Sequence, residues 1–117
     1  MHPAAFRLLP TLLLPLLAAC NGEAGRTAAS SLTQPCTLAL APQRGASRED
    51  LEISRLQEQL RRALDPSALD RLGWQYVAKA RLSYDPGYYK LAEQTALCLE
   101  TNQPRSPQAL LLRGHAL

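Results

Sequence analysis

The sequence has little from which to build a sheet: one valine, one isoleucine, one phenylalanine and one tryptophan in 117 residues. β-Branched and aromatic side chains are the stock of strands, so their scarcity excludes an all-β or doubly wound fold. Histidine is as scarce. His2 lies in a leader segment and His115 stands alone, so a His-based metal cluster or catalytic dyad lacks a second member. No H-E-x-x-H, G-x-S-x-G or S-x-x-K pattern occurs, and no glycine-rich phosphate loop. The carboxylates are spread beside arginines and read as solvated helix faces. No catalytic residue, metal, cofactor or small-molecule substrate is expected, and the chain does not read as an enzyme. Charge of one sign is missing too: 13 Lys and Arg against 10 Asp and Glu give +3. From Arg48 onward the signs are interspersed, without the basic stripe that nucleic acid requires.

What is abundant is Ala and Leu, which supply most of the 46% hydrophobic residues and are strong helix formers. An all-α chain is the expectation. Its first residues carry one positive charge, Arg7, followed by the apolar run Leu8 to Leu17 and the small residues Ala18 and Ala19. That order is the anatomy of an export signal. The run is shorter than the ~20 residues a spanning helix needs, and Pro10 and Pro15 weaken it further as a permanent anchor.

Leu17-Ala18-Ala19-Cys20 resembles the lipobox of bacterial lipoproteins. The resemblance implies a signal peptide over residues 1–19, cleavage before Cys20, and lipid attachment to the Cys20 thiol. Two or three acyl chains at ~0.8 kcal/mol per buried CH₂ would hold the chain at a membrane. The residue after the cysteine is Asn21 rather than Asp. By the family's sorting rule this favours the periplasmic face of the outer membrane.

Residues 20–47 read as lipid-anchor cysteine and flexible linker, rich in Ala, Gly, Ser, Thr, Gln and Pro. A short apolar patch, Leu38 to Ala41, is bracketed by Pro35 and Pro42 and is expected to stay undocked. At Ser47 the character changes. A side-chain cap and the carboxylates of Glu49 and Asp50 open a helix with Ile53, Leu56, Leu60 and Leu64 on one stripe. Asp65-Pro66 ends it and starts a second helix over 66–83. Asp85-Pro86-Gly87 makes a turn, a third helix covers about 88–100, and a fourth starts after the break at 102–107. Short connections imply antiparallel hairpins.

Ala80 and Gly114 stand 34 residues apart, the period of tetratricopeptide repeats. With Gly73 first, Ala80 is eighth, Ala92 twentieth and Pro104 thirty-second, and Gly114 is eighth in the next copy. Residues 73–106 thus resemble one tetratricopeptide repeat, 107–117 the first helix of an incomplete second, and 48–72 a preceding helix and the start of the next. Lys79, Ser83 and Leu99 depart from the family's preferences. A competing register, Leu72-Gly73-x-x-Tyr76, matches the family's L-G-x-x-Y but lengthens the hairpin. The first register implies close packing at Ala80, Ala92 and Gly114. It also implies a concave partner groove lined by Trp74, Val77, Arg81 and Tyr84, continued by Gln108, Leu111 and His115. Trp, Tyr and Arg dominate binding energy at interfaces.

Cys36 and Cys98 remain. In an oxidising compartment they are a candidate disulfide; the alternatives are a buried Cys98 and a free linker thiol. The expected function is a membrane-anchored scaffold that binds another protein or a peptide segment. The competing expectation is an assembly subunit whose unfinished helical stack another chain completes, or a fragment of a longer lipoprotein.

Overall fold

The computed structural model describes residues 32–117; the expected export signal and Cys20 lie outside the described residues. The described part is all-α and forms one compact unit, Leu32–Leu117. Five helices follow in order: α1 Gln34–Ala39, α2 Arg48–Arg62, α3 Pro66–Ser83, α4 Gly87–Asn102 and α5 Pro107–Ala116.

The starts of these helices are written in their caps. Ser47 and Asp50 form a reciprocal capping box at α2: the Ser47 hydroxyl accepts from the Asp50 amide at 3.2 Å, and the Ser47 amide donates to the Asp50 carboxylate at 3.1 Å. Asp65 accepts from the Ala68 amide at 2.9 Å and Ser106 from the Ala109 amide at 3.3 Å, each followed by a proline in the first turn. Asp85 turns the chain into α4 by accepting from the Gly87 amide at 2.8 Å.

Helix α3 packs against α2, α4 and α5, and α4 packs against α1 as well as its chain neighbours. Ile53, Leu56 and Leu60 from α2 meet Leu69, Leu72, Tyr76 and Val77 from α3, and Ala92, Ala96 and Leu99 from α4 complete the centre. Small residues suit α4 because it is covered on several sides, and close helix approach needs short side chains. Ala80 and Ala92 are both buried. The close approach that only glycine permits is at Gly73, where an added Cβ would overlap a Leu112 methyl on α5. Gly114 is different from its expected packing role: it is exposed and nothing stands near its Cβ position.

Residues 32–46 correct the linker reading, in which order began only at Ser47. They form α1 and a turn docked on the bundle, with Cys36, Ala39 and Leu40 buried. Cys36 is disulfide-bonded to Cys98 of α4 with Cα atoms 4.7 Å apart. A polar clamp holds the other end. Gln57 of α2 donates to the Ala41 carbonyl at 2.7 Å and to the Tyr76 hydroxyl at 2.8 Å, and Tyr76 donates to the Ala39 carbonyl at 2.7 Å. Arg61 donates to the Leu40 carbonyl at 2.6 Å. A helix end leaves carbonyls without intrahelical partners, and these three side chains supply them. The expected division at residues 72 and 73 falls inside the continuous α3.

Candidate functional site

The seven residues expected to line a partner groove separate into two exposed clusters and one core residue. Val77 is the core residue, 1% exposed. At ~100° per residue, Trp74 and Arg81 fall within ~20° of each other, while Val77 is turned ~60° away from Trp74, and the helices packed on that side bury it in the core cluster. Ala78, half-buried, lies ~40° from Trp74 on the side away from Arg81, in a cleft with Leu51 of α2. Val77 is therefore withdrawn from the groove.

The first cluster joins α3 to α5. Trp74 is half-buried and packs edge-on against His115, with ring centroids 4.9 Å apart at 66°. Such a T-shaped pair sets the positive edge of one ring on the electron-rich face of the other. Leu111, 59% exposed, lies one turn before His115 on the same helix. Gln108 is exposed and lines a polar cleft of about 350 Å³ with Pro66, Ser67, Asp70, Arg71, Leu99 and Gln103.

The second cluster is the α3–α4 turn. Arg81 and Tyr84 border an open concavity of about 460 Å³ with Ala80, Pro86 and Tyr89. Tyr84 is 92% exposed and takes the left-handed conformation, φ 54° and ψ 29°. Glycine is the usual residue at such a helix end, because a Cβ crowds the following carbonyl there. Arg81 has no ion-pair partner among the described residues. Leu82, 63% exposed, projects beside it.

Electrostatics tie the turn end of α3 to α2. Lys79 donates to Asp50 at 3.0 Å and to the Ser47 hydroxyl at 3.1 Å, and its ammonium stands 5.9 Å from the Tyr88 ring centroid. The Ser47 hydroxyl donates to Asp50 at 2.7 Å. That bond first, then Lys79, holds the Asp50 carboxyl below its ordinary range against the opposing effect of burial. Asp50 in turn raises Lys79. Gly45, at φ 139°, leaves room for the Asp50 carboxylate, which a Cβ there would strike. Tyr76 is pushed upward by burial, so its hydroxyl stays neutral and free to donate to Ala39.

Of the remaining expected site residues, Pro104 is exposed in the α4–α5 turn, and Cys20 lies outside the described residues. Lys79, a departure from the repeat pattern, serves the ion pair with Asp50. Two features escaped sequence reasoning. Gln57 sits one turn beyond Ile53, on the apolar stripe, and that position was the available sign of a buried polar role. Leu51 and Leu82 gave no periodic signal because they face outward. Among the described residues, no group of three or more His, Cys, Asp or Glu is placed to hold a metal, and no helix is long and apolar enough to cross a membrane.

The chain matches no family model, no curated protein and no solved structure.

Proposed function

We propose that this chain is a lipid-anchored, protein-binding helical module of the bacterial envelope, exported by residues 1–19 and held by Cys20. The observation that carries the binding half is the Trp74–His115 pair with Leu111 beside it: an aromatic and aliphatic face open to solvent across two helices. Faces of this composition anchor protein partners. The export half is supported by the order basic residue, apolar run, small residues and cysteine, and by the Cys36–Cys98 disulfide, since such bonds persist in oxidising compartments. The tetratricopeptide-like frame is favoured by the antiparallel α3–α4 pair with Ala80 and Ala92 buried in it, and by α5 packing on both of its helices.

Two measurements test the reading. Cys20→Ser should leave the protein unlipidated by mass and shift it from the membrane to the soluble fraction. In cells, a photo-crosslinker at Gln108 should give a discrete adduct that disappears in Trp74→Ala combined with Leu111→Ala. An adduct that survives both substitutions removes this face from the proposal.

A second reading, an assembly element, is favoured by the outer face of α5. There Leu110 is 57% and Leu117 85% exposed, and Gly114 between them has open space at its Cβ position. Neighbouring helices of a stack bury such faces against one another. A soluble form that sediments as a monomer across the micromolar range would count against this reading.

A further inference from the structure

The α3–α4 turn is more exposed than the half-buried Trp74 and differs from its face in composition. Leu82 is 63% and Tyr84 92% exposed, with no neighbour closing over either, and Leu51 on the adjoining surface of α2 is 62% exposed. Leu51 and Ala78 line one open cleft between α2 and α3 together with Arg48, Glu49, Glu52, Arg55 and Gln75, and Leu82 stands one turn beyond Ala78.

Cations surround this end. The Lys79–Asp50 bond brings the start of α2 beside the end of α3, and Gln43 lines a cleft with Asp85, Gly87, Tyr88 and Leu91. Arg81 and Lys90 flank the turn in sequence, and Arg44 and Arg48 belong to the segment that these contacts bring to the same end of the bundle. All four are exposed, and none is ion-paired among the described residues. Opposing them are Glu49, Glu93 one turn beyond Lys90, and Asp85, which is already engaged with the Gly87 amide, while Glu52 is paired with Arg55.

An exposed tyrosine and leucine near cations without ion-pair partners among the described residues suit a fluid anionic surface. The concavity that Arg81, Tyr84 and Tyr89 border is open, and a fluid headgroup layer can fill such a surface without a preformed complement. Tyrosine rests at the headgroup level with its hydroxyl in water, and Arg and Lys gain from lipid phosphates. Tyr84 also keeps a backbone conformation that glycine would adopt more easily. Reach is sufficient. The twelve residues from Cys20 to Leu32 extend to about 40 Å at most, while the α4 segment between the turn and Cys98 is about 18 Å long.

We propose that the α3–α4 turn is a membrane-contacting tip: Leu82 and Tyr84 enter the headgroup region of an anionic bilayer, and Arg48, Arg81 and Lys90 pair with lipid phosphates. The nearby bilayer rests on the lipid-anchor reading, but the tip's own affinity does not.

The test uses residues 21–117 without lipid, so failure of the anchor cannot be mistaken for failure of the tip. Sedimentation with vesicles of phosphatidylcholine alone, and of phosphatidylcholine with an equal part of phosphatidylglycerol, reads the affinity. Binding is expected only with phosphatidylglycerol. Leu82→Ser with Tyr84→Gly should weaken it roughly tenfold or more, and Arg81→Gln with Lys90→Gln by a similar factor. Tyr84→Gly relieves the left-handed backbone, so loss of fold is not the expected cause, and the melting curve checks this. Leu32→Ser with Leu38→Ser, at α1, should bind as the parent does. Absence of binding to both vesicles, indifference to phosphatidylglycerol, or full binding by the Leu82 and Tyr84 variant overturns the proposal. So does a tip variant that changes only the protein's self-association, which would make the turn a protein contact.

Discussion

Replacing Cys36 and Cys98 together by alanine should remove a large share of the stability of this domain. The bond links positions 62 apart in sequence. Closing a loop of that size in the unfolded chain is worth about 4 kcal/mol in the chain-entropy treatment. A domain of this size has a total stability of order 5–10 kcal/mol, so the disulfide supplies something near half. At about 4–8 °C per kcal/mol, the melting temperature should fall by roughly 15–30 °C. Alanine is the appropriate replacement, since a serine hydroxyl at these buried positions would add a cost of its own. The assay is urea unfolding of the oxidised parent and the double variant, with amide exchange at Leu40 and Ala41. Those amides bond to Cys36 and Leu38 within α1. They should lose protection before the rest of the bundle, because only the clamp of Gln57, Tyr76 and Arg61 then holds α1. A loss of less than about 1 kcal/mol would refute the entropic reasoning. Unchanged protection at Leu40 would show that the clamp alone suffices.

Tyr84→Gly should stabilise the isolated domain by about 0.5–1 kcal/mol, the relief of a left-handed tyrosine offset partly by glycine's unfolded-state entropy, as thermal melting would show. At the opposite extreme of crowding, Gly73→Ala should destabilise by about 1–2 kcal/mol, because the overlap with buried Leu112 outweighs alanine's better helix propensity. Leu112→Ala should be less harmful in that background than in the parent, a coupling that a double-mutant cycle in urea detects. Asp50 makes the domain acid-sensitive. Its folded-state value lies below the ordinary 3.8, so its contribution is complete above that pH and is lost as pH falls through the lower folded value. The difference in urea midpoint between the parent and Asp50→Asn should shrink steadily below about pH 4. A constant difference down to pH 2 would contradict the ion-pair account.

Helix starts were legible because a cap is a local device. Ser47 with Asp50, Asp65 before Pro66, and Ser106 before Pro107 each act within three or four residues. The docking of α1 was not legible. Its buried positions, Cys36, Ala39 and Leu40, are too few to set a period, and the groups that hold it lie 16 to 62 residues further along the chain. The partner face was read in part. Spacing along α3 puts Trp74 and Arg81 on one side, but the depth of Val77 depends on where α4 and α5 lie. The contact of Trp74 with His115 likewise depends on the position of α5.

By itself, the sequence determined that residues 32–117 are helical and where α2, α3 and α5 start. Composition, caps and turns are properties of a few neighbouring residues and need no fold to express them. Only tertiary structure decided that residues 32–46 belong to the domain, that Gly73 rather than Gly114 marks a close helix approach, and that Leu82 and Tyr84 stand at a bare tip. Those outcomes depend on which surfaces meet across distant stretches of chain. Burial and the satisfaction of stray carbonyls are settled by the partner surface, and no local pattern specifies that partner.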